Sequence, residues 1–146
     1  MKTLLKRSIP LVVVLLCCIQ PLHAQTDPVV AFESSSSAHY ETYSPTVPIK
    51  VILSQPSSSA VYVEYAVTGG TATGGGVDYY LYDSELTFAP GETEKNIIIY
   101  MVHDLYGETN ETIIISLRNP TNATLGSPDT HTYTIGNDDW NLFGFM

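Results

Sequence analysis

The feature that most constrains this chain is hydrophobic alternation with a period of two, interrupted every few residues by proline or glycine. In "VPIKVIL" (residues 47–53), Val47, Ile49, Val51 and Leu53 fall on one face, and in "VYVEYAV" (61–67) Val61, Val63, Tyr65 and Val67 do the same. "THTYTIG" (130–136) sets Thr130, Thr132 and Thr134 against Tyr133 and Ile135. Successive side chains of a strand point to opposite sides of its sheet, so this period marks half-buried strands. "NIIIYMV" (96–102) is apolar on both faces, as expected of a central strand. No stretch carries the 3.6-residue period of a helix.

Turn chemistry divides these runs. "APGE" (89–92) places Pro90 and Gly91 at the two corner positions of a type II turn, which needs a positive φ at the second. It is expected to join "ELTF" (85–88) to a strand starting near Lys95 as a hairpin. "TGGTATGGGVDYY" (68–80), with five glycines, is the loosest segment, and "ESSSSA" (33–38) reads as a break or bulge in the first strand region. Many short strands with regular turns predict an all-β fold, an antiparallel β-sandwich of about seven strands.

The first 24 residues are set apart from that fold. Lys2, Lys6 and Arg7 precede the apolar run Leu11 to Ile19, and "PLHAQ" offers a small-residue exit at Ala24. This is the pattern of a secretory signal peptide cut after Ala24. The apolar run is well short of the ~20 residues that cross a bilayer. Leu16 or Cys17 is bulkier than a lipid-attachment signal prefers before Cys17 or Cys18. Cleavage removes three of the six basic residues and none of the fifteen acids, which takes the net charge to −12. It also removes both cysteines, and with them any disulfide, thiol nucleophile or thiolate metal site. Such acidity excludes a nucleic-acid binder, which needs a basic footprint, and suits cationic partners. The remaining 122 of 146 residues suit one domain, 25–139, followed by a short apolar tail, 140–146.

Acids gather where strands should end. "VHDLYGETNETIIISL" (102–117) holds Asp104, Glu108 and Glu111 with no Lys or Arg before Arg118. "GVDYY" adds Asp78, and "GNDDW" adds Asp138 and Asp139 after the last strand. Any one of these is ordinarily a solvated surface acid. Their recurrence at strand ends is what matters, because the loops of a sandwich cluster at its two ends. Uncompensated carboxylates repel, and a hard cation neutralises them. Calcium takes six to eight oxygens at about 2.3–2.6 Å in loose geometry. A cysteine-free, histidine-poor set does not suit zinc or copper.

"GGTATGGGVDYY", "LTFAPGETEKNIIIYMVHD", "GETNETIIISLRNPTNATLG" and "YTIGNDD", in this order, resemble the Calx-beta domain of sodium–calcium exchangers, integrin β4 and many bacterial surface proteins. The resemblance spans nearly all of residues 29–139. It implies an immunoglobulin-like β-sandwich that binds Ca2+ through loops at one end. It makes Asp78, Asp104, Glu108, Glu111, Asp138 and Asp139 ligands, together with Glu33, for which Glu41 is the weaker rival. The chain departs from the family pattern at His103, Leu105 and Asn137, where acids are frequent. Leu105 offers no side-chain ligand, Asn137 brings no charge, and neutral His103 is a poor calcium ligand.

The expected function is therefore a secreted or cell-surface calcium-binding module for adhesion or protein interaction, with calcium and other surface or matrix proteins as partners. One alternative is a metal-independent spacer, favoured by the three departures. Another is calcium-assisted membrane contact through Trp140, Leu142, Phe143 and Phe145, against which stands docking of an apolar terminus on its own domain. Paired carboxylates with Tyr79, Tyr80 and Tyr82 could serve a sugar-acting enzyme. A sandwich of this size leaves little room for a catalytic cleft, so no enzyme is expected.

Overall fold

The computed structural model describes residues 26–40, 45–103 and 108–137. The period-two segments all form strands, and their apolar faces turn inward. Val47, Ile49, Val51 and Leu53 are buried along β3 (Thr46–Leu53). On β4 (Val61–Gly70), Val61 and Val63 are buried, with Tyr65 and Val67 packed against the same core. On β10 (Thr130–Gly136) the inward parity is His131, Tyr133 and Ile135. The other elements are β1 (Val29–Phe32), β2 (Ser36–Tyr40), β5 (Tyr79–Tyr80), β6 (Ser84–Phe88), β7 (Glu94–Met101), β8 (Glu111–Thr121) and β9 (Thr124–Leu125).

Two five-stranded sheets enclose the core, in the orders β5-β7-β3-β1-β9 and β2-β10-β8-β4-β6. Ile97 and Ile99 from the first sheet meet Ile113 and Ile115 from the second, all essentially inaccessible. Burying each such side chain contributes about 1.5–3 kcal/mol. The architecture is the expected sandwich, with ten strands among the described residues. Two of the additional strands, β5 and β9, are only two residues long. Another arises at the serine-rich break, where the first strand region splits. β1 pairs with β3 in one sheet and β2 with β10 in the other, so the chain changes sheets between Phe32 and Ser36. That switch also makes β2–β10 and β1–β9 parallel pairs in an otherwise antiparallel fold.

One local expectation is corrected. At "APGE" the turn itself forms: Gly91 has φ 86° and the Glu92 amide donates to the Ala89 carbonyl at 2.9 Å. It does not close a hairpin, because β6 pairs with β4 and β7 with β3 in the opposite sheet. The corner docks on the β3–β4 connection through Gly91 N–H to the Ser57 carbonyl, 2.9 Å. β7 is the central strand expected, hydrogen-bonded on both edges, and among the described residues its outward parity is left partly uncovered. Ile98 and Tyr100 stay 36% and 55% exposed.

Candidate metal centre

The glycine-rich loop after β4 is held against the start of β8. Gly70 has φ 118°, and a Cβ there would lie 2.1 Å from the Thr112 carbonyl oxygen, so only glycine fits. That close approach lets the Thr71 and Ala72 amides both donate to the Thr112 carbonyl, at 2.9 and 3.0 Å. The loop then folds back on itself. The Asp78 amide donates to the Thr73 carbonyl at 3.0 Å, and the Thr73 amide donates to Asp78 Oδ2 at 2.5 Å. Beyond it, the Val102 amide donates to the Asp78 carbonyl at 2.9 Å, which fixes Asp78 to the end of β7. Tyr79 points inward and its phenol is pushed above its ordinary range, first by burial and second by the negative charge of Asp78.

The opposite wall comes from the segment entering β8. Glu111 is the first residue of β8 and pairs in register with Ile135 near the end of β10. The Asn137 amide donates to Asn110 Oδ1 at 3.2 Å, so the exit from β10 is tied to the loop carrying Glu108. Ends of β4, β7, β8 and β10 therefore meet at one end of the sandwich.

Three of the sequence-predicted acids come together there. One carboxylate oxygen from each of Asp78, Glu108 and Glu111 lies within 4.8 Å of the others. Oxygens on opposite sides of one calcium ion are about 4.6–5.2 Å apart, twice the metal–oxygen distance, so the spread accommodates that ion. The donors are all hard carboxylates. The three basic side chains of the described residues pair elsewhere: Lys50 with Glu33 and Glu94, Lys95 with Glu92, and Arg118 with Glu64 and Asp83.

Glu33 is placed apart from this group. Its amide donates to the Lys50 carbonyl at 3.0 Å, and its carboxylate meets Lys50 Nζ at 3.3 Å along β3. Asp104, Asp138, Asp139 and Glu41 lie outside the described residues. Asn110 was not anticipated as part of the site, and no periodicity or charge pattern marks it.

The chain matches the family model of the Calx-beta domain over residues 23–139. It belongs to the Calx-beta family. This Calx-beta domain is 32% identical over 100 residues to sodium/calcium exchanger 1 of Bos taurus, an alignment that covers 56% of this chain. Sodium/calcium exchanger 2 of Rattus norvegicus is 35% identical over 75 residues, covering 51% of this chain. The chain spans only 10% and 8% of those two exchangers. Among solved structures, the Calx CBD1 domain in its apo form superposes with a TM-score of 0.70 at 28% identity, covering 78% of this chain and all of that one. The calcium binding domain CBD12 of CALX1.1 gives 0.69 at 29% identity, covering 75% of this chain and 44% of that one. The immunoglobulin-like sandwich expected from the resemblance is thus the fold of the chain.

Proposed function

We propose that this domain binds calcium at the loop end of the sandwich and acts as a non-catalytic interaction module outside the cell. The observation that carries the reading is the convergence of Asp78, Glu108 and Glu111 while the described basic side chains pair elsewhere. Calcium supplies the positive charge that lets three carboxylates share one corner. The residues themselves hold the corner in shape. Asp78 is fixed by the Thr73 and Val102 amides, and Glu111 stands at the head of a strand paired on both sides. Asp104 and Asp138 or Asp139 would complete the oxygen set from the neighbouring chain segments.

Export rests on the N-terminal pattern, with cleavage after Ala24, and an adhesive or interaction role rests on the acidity and small size of the exported domain. Calcium titration of residues 25–146, followed by thermal unfolding, tests the metal reading. A rise in melting temperature with calcium and its reversal by EDTA support it. Identical curves would leave the metal-independent spacer in its place. Liposome flotation with and without calcium tests contact through the 140–146 tail. Intact mass of the exported protein should show Gln25 at the N-terminus and no lipid.

A further inference from the structure

A shallow groove of about 280 Å³ runs along the side of the sandwich, where the chain passes from β5 in one sheet to β6 in the other. Tyr65, Tyr80, Tyr82 and Tyr100 line it, together with Asp83 and Ser84. Tyr80 and Tyr100 stand directly opposite each other across the β5–β7 pair. Their exposure, 43% and 55%, with 72% for Tyr82, is unusual for three neighbouring aromatics that could have been polar without loss to the core. Tyr80 is also held in place from below. A Cβ on Gly76, which has φ 96°, would lie 2.2 Å from the Tyr80 hydroxyl, so the phenol rests on bare backbone. A fixed ring loses less side-chain entropy on binding than a free one.

We propose that this groove binds a neutral saccharide. Exposed tyrosine rings offer flat apolar faces for the C–H face of a pyranose ring, and a phenol hydroxyl can both donate to and accept from a sugar hydroxyl. Asp83 and Ser84 in the same lining add a carboxylate acceptor, with one oxygen already taken by the Val67 amide, and a hydroxyl. Charge selects among glycans. The one carboxylate of the groove lining, Asp83, accepts the Val67 amide at 3.2 Å and pairs with Arg118 at 3.9 Å. Arg118 is itself paired with Glu64, so the groove offers no unpaired charge to a sulfated or uronate chain. The open form also disfavours a quaternary ammonium group, which is held best when aromatic faces surround it. The groove shares no residue with the cluster of Asp78, Glu108 and Glu111, so this binding does not depend on the calcium reading.

Affinity electrophoresis of residues 25–146 in EDTA, through gels containing hydroxyethylcellulose, xylan, galactomannan or laminarin, tests the proposal free of calcium. At least one neutral polymer is expected to retard the wild-type chain. Tyr82→Ala and Tyr100→Ala should each weaken that retardation about tenfold, the loss of one stacking contact. Glu85→Ala should leave it unchanged. Tyr82 is so exposed that its truncation spares the fold, and matching circular dichroism spectra would confirm it. Retardation by none of the four polymers, by alginate alone, or undiminished in the Tyr82→Ala, Tyr100→Ala double variant would overturn the proposal. So would displacement by choline chloride.

Discussion

Asp78 already gives one carboxylate oxygen to the Thr73 amide, which orients the group and leaves its charge available to an ion. Replacing it with alanine removes both the loop clasp and a ligand. Asp78→Ala and Asp104→Ala should each abolish calcium-dependent stabilisation, read as the difference in melting temperature with calcium and with EDTA. Glu85→Ala changes net charge equally on a distant strand and should leave that difference nearly intact. Long-range repulsion is screened over about 8 Å at physiological salt, so equal losses would indicate diffuse charge with no built site. Glu94 is a poorer control, because it shares Lys50 with Glu33. Gly70 makes a separate prediction. Its φ of 118° disfavours any side chain, and a Cβ there would come 2.1 Å from the Thr112 carbonyl oxygen, which leaves no space for a methyl group. Gly70→Ala should cost about 2–3 kcal/mol, lower the melting temperature by on the order of 10 °C, and weaken calcium binding by loosening the loop.

At the level of elements, β2 is held to the sandwich by its pairing with β10 and by one buried side chain. His131 is 2% exposed; its Nδ1 lies 2.7 Å from the Ser34 carbonyl and its Nε2 2.9 Å from Ser37 Oγ. A carbonyl only accepts, so Nδ1 carries the hydrogen. The ring also meets Phe32, with centroids 5.5 Å apart. His131 thus links β10 to the break between β1 and β2 where the chain changes sheets. His131→Phe keeps an aromatic ring, slightly larger, and removes both hydrogen bonds, so about 2 kcal/mol should be lost. Amide exchange should accelerate first in Ser36–Tyr40. Equal protection of β2 in both proteins would show that strand pairing alone suffices. The histidine shares the inward parity of Tyr133 and Ile135, so its burial was implicit in the period-two pattern. The hairpin expected at "APGE" shows the opposite case. Proline and glycine specify a corner, but a corner does not specify which sheet receives the next strand.

For the whole molecule, a ligand bound only by the folded state stabilises by about 2.7 kcal/mol at a hundredfold excess over Kd. Saturating calcium should therefore raise the melting temperature by very roughly 10 °C, and EDTA should reverse it. With His103, Leu105 and Asn137 in place of acids, calorimetry should count one firmly held ion and at most one weaker. Three or more would mean that other oxygens replace those side chains. Stability should also fall in strong alkali. Burial pushes the Tyr133 phenol up to about 12, against an ordinary value of 10.0. A raised folded-state pKa gives stability that is complete below pH ~10 and is lost as pH rises toward 12, on the order of 2 kcal/mol. Tyr79 adds in the same direction. Tyr133→Phe should shrink the alkaline loss, as followed by denaturant midpoints between pH 9 and 12.

What the sequence determined by itself was local in origin. Alternation named the buried faces of β3, β4 and β10, because side-chain direction in a strand depends only on parity. Proline and glycine placed the Gly91 corner, and the ordered motifs carried the family. Which acids meet was a tertiary decision. Asp78 joins Glu108 and Glu111 only because Gly70 lets the loop dock on Thr112 and because β7 finishes where β8 begins. Glu33 pairs with Lys50 because strand register, which no local pattern encodes, sets it beside β3. The outer face of β7 shows the same limit. Its apolar residues on both faces marked a central strand, which it is, but whether a second layer covers a face depends on where the other strands go. Here none of the described strands covers Ile98 and Tyr100, and the tyrosine groove is the result.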